Sequence, residues 1–157
     1  MIDSDASARR CAFILLNYRS RSEKELRERL KKKGFSENHI SNTLRQLKEA
    51  GYVDDHALAQ DLKRQAFDNK LLGFNNAKRL LLNRGVPDET VNEILTYDEE
   101  TESQKIQKLI DKKLRTMGGC PDNKKKKKLW DFLVRKGYAY NTIKNALHNF
   151  MQVEEEE

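Results

Sequence analysis

The chain has 157 residues, of which 37% are hydrophobic and 36% charged, a ratio that suits a row of small helical units better than one thick core. Its net charge of +6 arises in the last third: residues 1–102 hold 18 basic and 18 acidic side chains, whereas residues 103–153 hold 13 basic and 3 acidic ones. No stretch approaches the roughly 20 apolar residues that span a bilayer, which argues against a membrane protein and for a location in the cytoplasm. A monomer is expected.

The first segment, residues 8–53, has the pattern of three helices. Apolar residues at helical spacing place its first helix at about residues 8–18. Ser22 followed by Glu25 is a capping-box pattern for a second helix. That helix ends at Gly34, because glycine tolerates the left-handed conformation that is common just past a helix end. A third helix follows within a few residues.

The second segment, residues 54–97, repeats this plan. The acidic pair at residues 54–55 stands where the first helix, at about residues 56–69, must begin. A capping role is therefore favoured for this pair over a metal or acid–base site. The next helix ends at Gly85, and Pro87 suits the first turn of the helix that follows.

The third segment, residues 102–150, begins with a helix at about residues 102–117. Glycine and proline residues between 117 and 123 must break that helix. Five consecutive lysines at residues 124–128 then open the next helix, which ends at Gly137. Residues 1–7 and 151–157 are left as tails.

Six columns of similar residues align the three segments on their glycines. The columns are Gly34, Gly85 and Gly137; Leu30, Leu81 and Leu133; Leu26, Ala77 and Leu129; Phe35, Val86 and Tyr138; Ile40, Val91 and Ile143; and Leu44, Leu95 and Leu147. Spacings of four residues on both sides of the glycine indicate an apolar helical stripe before and after it. The sequence thus predicts an all-α protein of three tandem three-helix repeats, elongated and slightly curved.

The lysine run at residues 124–128 has two interpretations. It is either a solvated helix start or a contact for phosphates or for an acidic protein surface. Mutual repulsion and the helix dipole both disfavour five lysines at a helix N-terminus, so an anionic partner is the preferred interpretation. Trp130 and Tyr138 could stack on bases, although a core position is favoured for both.

No catalytic constellation is visible. His39, His56 and His148 have no neighbours at metal-ligand spacing. The sequence also contains no glycine-rich phosphate loop, no paired-cysteine motif and no nucleophile elbow. We therefore expect a binding protein rather than an enzyme, with no metal and no cofactor.

The first repeat alone also fits a DNA-binding protein of the helix-turn-helix or winged-helix class. In that interpretation the helix after Gly34 reads a major groove, and Gly-Tyr-Val at residues 51–53 opens the wing. Two observations oppose it. The residues after Val53 favour a helix over a hairpin, and the same pattern recurs twice without a wing.

Four stretches between residues 8 and 150 carry a resemblance to a known family. They are Arg-Cys-Ala-Phe-Ile-Leu-Leu-Asn-Tyr-Arg-Ser-Arg-Ser at 10–22, Leu-Lys-Glu-Ala-Gly-Tyr-Val-Asp-Asp at 47–55, Gly-Phe-Asn-Asn-Ala-Lys-Arg-Leu-Leu-Leu-Asn-Arg-Gly-Val at 73–86, and Leu-Val-Arg-Lys-Gly-Tyr at 133–138. On these residues the chain resembles the RecX regulatory proteins of bacteria. The Gly-Tyr-Val-Asp-Asp stretch is the part of this resemblance that is most specific to the family. The dense lysine run and the short linker before the third repeat depart from the family pattern.

The resemblance implies a function. Such proteins lie in the helical groove of the RecA recombinase filament on single-stranded DNA and lower strand exchange, ATP hydrolysis and coprotease activity. The RecA filament is therefore the expected partner, and single-stranded DNA is a further candidate. In this interpretation of the resemblance, charge placement and repeat position select two sets of contact residues. The expected contacts with RecA in the middle repeat are Arg64, Lys70, Lys78 and Arg79, and the expected contacts with the acidic groove of RecA or with the DNA in the last repeat are Lys112, Lys113, Lys125, Lys128 and Arg135.

Overall fold

The computed structural model describes the backbone of residues 3–155 and the side chains of residues 3–149. Within that part of the chain every regular element is helical, as predicted. The helices are α1 (Asp5–Tyr18), α2 (Glu23–Lys32), α3 (Glu37–Glu49), α4 (Asp55–Arg64), α5 (Phe74–Asn83), α6 (Asp88–Ile94), α7 (Glu99–Leu114), α8 (Asp122–Lys136) and α9 (Tyr140–Glu155). A π-helical segment, Gln65–Asn69, continues directly from α4.

Three of the helices end or begin at residues that differ from the prediction. The first helix begins at Asp5 instead of residue 8, because Ser4 accepts a hydrogen bond from Ser7 N at 3.1 Å and caps it. The helix predicted at residues 102–117 is shifted to Glu99–Leu114. Asp98 caps this helix by accepting from Thr101 N at 2.9 Å and from the Thr101 hydroxyl. The hydrogen bond from the hydroxyl, followed by the one from the backbone, lowers the pKa of Asp98. At the other end of the chain α9 continues to Glu155, and residues 1–2 and 156–157 of the predicted tails lie outside the described part.

The predicted caps by Ser22 and Asp54 are confirmed, whereas Asp55 does not cap α4 but accepts from Glu23 N, at the start of α2, at 3.0 Å. Ser22 accepts from Glu25 N at 3.1 Å and caps α2, as the capping-box pattern indicates. The carboxylate of Glu25, however, accepts a hydrogen bond from Arg84 Nε at 2.7 Å, so only half of the box forms. Asp54 caps α4 by accepting from Ala57 N at 3.1 Å. The helix begins where the winged-helix alternative requires a hairpin, and no wing forms there.

The aligned columns are the buried side of the helices. The glycines Gly34, Gly85 and Gly137 all have φ between 80° and 93°, in the left-handed region, as predicted. All fifteen apolar residues of the other five columns are at most 5% exposed. The repeat therefore reflects a shared packing pattern: one apolar stripe before the turn and one after it.

The described chain separates into two compact units. The first contains the residues up to Leu62 together with Leu81–Ile94, and the second contains Lys63–Leu80 together with the residues from Leu95 onward. The core of the first unit is formed by Ala8, Ala12, Leu26, Leu30, Phe35, Ile40, Leu44, Leu47 and Val53. The core of the second is formed by Ile106, Leu109, Ile110, Met117, Leu129, Leu133, Tyr138, Ile143 and Leu147. Each unit thus contains the helices of one terminal repeat together with part of the middle repeat.

In the first unit the turn glycine of α5 and α6 lies directly against the start of α2. A Cβ placed on Gly85 would lie 2.5 Å from Ser22 Oγ and 3.1 Å from Lys24 Cβ. The preceding residue, Arg84, donates to Glu25 and, at 2.8 Å, to the carbonyl of Ser20. We call such a contact, in which a turn glycine and the basic residue before it pack against the start of an earlier helix, a joint.

The second unit contains an equivalent joint. A Cβ on Gly137 would lie 2.7 Å from the backbone nitrogen of Asn76, at the start of α5. Gly73 N donates to the carbonyl of Lys136 at 2.8 Å, and Lys136 Nζ donates to the carbonyl of Lys70 at 2.8 Å. In both units, therefore, a turn glycine rests on the start of an earlier helix, and the basic residue before it binds a backbone carbonyl next to that start.

None of the helices in the described part is both long and apolar enough to cross a membrane.

Candidate functional site

Four lysines and a phenylalanine line a groove in the second unit. The groove has a volume of about 410 Å³ and lies between α7, α8 and the segment that follows the π-helical turn; we call it the α7–α8 groove. Its cations are Lys70, Lys112, Lys113 and Lys136, and Phe132 contributes an aromatic ring. The site thus gathers positive charge from three separate stretches of the chain.

Two of the lysines lie near the ring, and Lys136 is close enough to Lys112 and Lys70 to be repelled by them. Lys113 Nζ lies 4.8 Å from the centroid of the Phe132 ring, and Lys136 Nζ lies 5.7 Å from it. Burial, followed by repulsion from Lys112 and Lys70, lowers the pKa of Lys136. Cations that disfavour one another in this way would be stabilised by an anion in the groove, such as a carboxylate or a phosphate.

The backbone beside the groove has an unusual conformation. Leu71 has φ of 49°, the only positive value for a non-glycine residue in the described part of the chain. Its carbonyl accepts a hydrogen bond from the Tyr138 hydroxyl at 2.6 Å, and Leu72 N donates to the carbonyl of Ala66 at 2.7 Å. Tyr138 is 4% exposed, which confirms its predicted core position, and burial raises the pKa of its hydroxyl. These contacts hold the turn that presents Lys70.

A buried ion pair fixes the same turn from the other side. Lys105 Nζ lies 2.5 Å from Glu102 Oε1, donates to the carbonyl of Leu72 at 2.9 Å and lies 3.5 Å from the Phe67 ring centroid. Glu102 also accepts from Phe74 N, at the start of α5, at 3.1 Å. Burial lowers the pKa of Lys105, an effect that the adjacent carboxylate opposes. Since both charges are paired and hydrogen-bonded, the network is suited to holding α5, the turn and α7 in register.

The structure brings together three of the nine predicted contact residues, Lys70, Lys112 and Lys113. Lys128 is exposed and precedes Phe132 by one helical turn on α8, so it lies on the helix face that borders the groove. Lys125 is half-buried and pairs with Asp122 at 3.5 Å.

The other four predicted residues do not line the groove. Arg135 is exposed, and its carbonyl accepts from Asn76 Nδ2 at 2.7 Å, so its backbone belongs to the joint. Arg64 and Arg79 are exposed on α4 and α5, and Lys78 is half-buried on α5. Their role as partner contacts stays a prediction.

Sequence reasoning missed two groove residues, Lys136 and Phe132. A signal for the first was present: Lys33, Arg84 and Lys136 precede the three turn glycines, and all are basic. Two of these three bind a backbone carbonyl of a joint. Phe132 carried no such signal, because its position in the repeat is not one of the six aligned columns.

Among the described residues, no group of three or more His, Cys, Asp or Glu side chains is placed to hold a metal ion.

Comparisons with known proteins agree with this architecture. The family model for the first three-helix domain of RecX matches residues 8–47, and the model for its third three-helix domain matches residues 100–147. A regulatory protein RecX from Chlorobaculum tepidum is 35% identical over 136 residues, which cover 87% of this chain and 83% of that protein. The chain belongs to the RecX family.

Other RecX proteins extend the similarity. A regulatory protein RecX from Amycolatopsis mediterranei is 32% identical over 148 residues, covering 91% of this chain and 85% of that one. The crystal structure of RecX from Lactobacillus salivarius superimposes with a TM-score of 0.78 at 21% identity, covering 92% of this chain and 95% of that chain. The all-helical repeat fold is thus the fold of a RecX protein, and the family to which the chain belongs is one of regulatory proteins.

Proposed function

We propose that this chain regulates the RecA recombinase by binding in the groove of the RecA filament on single-stranded DNA. In this proposal it inhibits strand exchange, ATP hydrolysis and coprotease activity as a binding protein, without catalysis of its own. The three repeats, at residues 8–53, 54–97 and 102–150, would be the units that lie along the filament.

The observation that supports the proposal is the convergence of lysines in the α7–α8 groove. Lys70, Lys112 and Lys113 come from distant parts of the sequence, yet they face one cavity together with Lys136. A filament groove offers acidic side chains and DNA phosphates, and both bind clustered lysines. The net charge of the last third of the chain has the sign that such a partner requires.

The first experiment is a titration of RecA-dependent ATP hydrolysis on single-stranded DNA with this protein. A regulator that spans RecA subunits should inhibit well below one molecule per RecA subunit. A protein that merely coats the DNA would need enough molecules to cover the strand. Inhibition that begins only at strand-covering amounts, or no inhibition, would contradict the proposal.

A matched pair of variants tests the groove itself. The double variant Lys70→Ser/Lys112→Ser removes two exposed cations from the groove, and Lys31→Ser/Lys32→Ser removes two exposed cations from α2. We expect the groove variant to require several-fold more protein for half-inhibition, with a weaker dependence on salt, and the α2 variant to behave like the unmodified chain. Equal losses in both variants would show that net charge, and not the groove, is responsible.

A further inference from the structure

A second basic groove lies on the other side of α8. It has a volume of about 530 Å³ and is bounded by α8 and α9; we call it the α8–α9 groove. Its lining consists of Lys126, Trp130, Tyr140, Lys144, Asn145, Leu147 and His148. Positions 130 and 132 are separated by about 200° around a helix of 3.6 residues per turn, so Trp130 and Phe132 face opposite sides of α8. The two grooves are therefore distinct sites in the second unit.

The aromatic rings of this groove form an edge-to-face pair that is open to solvent. The centroids of Trp130 and Tyr140 are 5.0 Å apart, with planes inclined at 72°. Trp130 is half-buried against the core of the second unit, whereas Tyr140 is 64% exposed. In an edge-to-face pair at least one ring keeps both faces uncovered by its partner, so a planar ligand group can stack there.

Cations flank the rings at helical spacing. Lys126 precedes Trp130 by one turn of α8, and Lys144 follows Tyr140 by one turn of α9. Both lysines are exposed, and among the described residues no carboxylate lines the groove. Adjacent stacking rings between two cations match the alternation of bases and phosphates along a nucleic acid strand.

We propose that the α8–α9 groove binds single-stranded nucleic acid, with bases stacked on Tyr140 and Trp130 and phosphates bound by Lys126 and Lys144. A duplex keeps its base faces stacked internally, so it cannot use the rings. An acidic protein surface would satisfy the lysines but would leave the exposed ring without a partner. This inference goes beyond the proposed regulation of RecA, because it assigns single-strand binding to a site separate from the α7–α8 groove and independent of RecA.

The chain contains one tryptophan, Trp130, and its fluorescence reports directly on this groove. We would titrate the full chain, without RecA, with oligothymidylate, with oligouridylate and with a DNA duplex. Saturable quenching by the single strands, and none by the duplex, is expected. Similar quenching by both single strands would show that the groove recognises the phosphates and bases that DNA and RNA share. Stronger quenching by oligothymidylate would indicate DNA as the ligand, and stronger quenching by oligouridylate would indicate RNA.

Two variants locate the binding. Tyr140→Ser should weaken single-strand binding by about fivefold or more, as expected for the loss of one base–aromatic stack. Lys126→Ser/Lys144→Ser should lower the slope of log affinity against log salt concentration by about 1.4, because each phosphate contact on a single strand contributes about 0.7. The matched controls are Tyr18→Ser, which removes a tyrosine that is 83% exposed on α1, and Lys31→Ser/Lys32→Ser on α2.

Circular dichroism of each variant verifies that the helices persist before binding is compared. The proposal is overturned if single strands bind without changing the Trp130 emission, if the duplex quenches equally, or if no binding is detected. It is also overturned if the control variants lose as much affinity as the groove variants. All these measurements omit RecA, so their outcome is independent of the inhibition of RecA proposed above.

Discussion

Substituting alanine at the turn glycines separates the backbone cost of a left-handed residue from the packing cost of a joint. Gly34, Gly85 and Gly137 share almost the same φ, between 80° and 93°. Their surroundings differ, however. A Cβ on Gly34 would meet nothing within 4 Å, whereas a Cβ on Gly85 or Gly137 would lie 2.5 Å from its nearest neighbour. Gly34→Ala is therefore a matched control for the other two.

The magnitudes follow from these contacts. A non-glycine residue in the left-handed region costs about 1–2 kcal/mol, and this is the whole expected effect of Gly34→Ala. Overpacking adds about 1–3 kcal/mol, so Gly85→Ala and Gly137→Ala should each cost about 2–5 kcal/mol. Gly137→Ala should cost the most, because its Cβ meets the backbone of Asn76, whereas the nearest atom to Gly85 is the hydroxyl of Ser22, the end of a side chain.

Urea denaturation followed by the helical circular dichroism signal gives the free energy of unfolding of each variant. We expect the losses to increase from Gly34→Ala through Gly85→Ala to Gly137→Ala. In addition, Ser22→Gly removes the closest atom, so Gly85→Ala should cost less in that background than in the unmodified chain. Equal losses for all three alanine variants, with no coupling between positions 22 and 85, would refute the close packing at the joints.

Three further outcomes are expected in unfolding experiments. Lys105→Met should lower the free energy of unfolding by about 3–5 kcal/mol, because it leaves the charge of Glu102 buried and unpaired. The double variant Lys105→Met/Glu102→Gln removes that charge but keeps a hydrogen-bond acceptor for the start of α5, so its loss should be much smaller. Equal losses in the two variants would contradict this. Burial raises the pKa of Asp55, so its ionisation opposes folding as the pH rises through that pKa. Asp55→Asn should therefore stabilise the fold at neutral pH. Thermal melts should show that this stabilisation disappears in acid, where the Asp55 carboxyl is protonated. Ser22→Ala should lower the unfolding free energy by about 1 kcal/mol, and Ser36→Ala by less, because the Ser36 hydroxyl makes no capping hydrogen bond.

The sequence predicts the fold well because the signals of a helical repeat are local. Apolar columns at spacings of four define the buried stripe of each helix, and the glycine between them marks its end. The caps at Ser22 and Asp54 depend on residues at most three positions away, and both form as predicted. The start of α7 at Glu99 also has a local cause, the cap at Asp98.

The candidate site was predicted only in part, because its residues converge through tertiary structure. Lys70 and Lys136 are 66 residues apart, and only the joint of the second unit brings them to one groove. The buried pair of Glu102 and Lys105 resembles an ordinary exposed pair on a helix until the turn before α5 covers it. Likewise, the exposure of Tyr140 beside Trp130 depends on how α8 and α9 pack.

The sequence alone therefore determined that the chain is helical, which face of each helix is buried and where each repeat turns, since these follow from periodicity and chain-local hydrogen bonds. The tertiary structure decided which charges are buried, which lysines share a groove and which partner Glu25 binds. These depend on contacts between residues distant in sequence, and no pattern within a single helix encodes them.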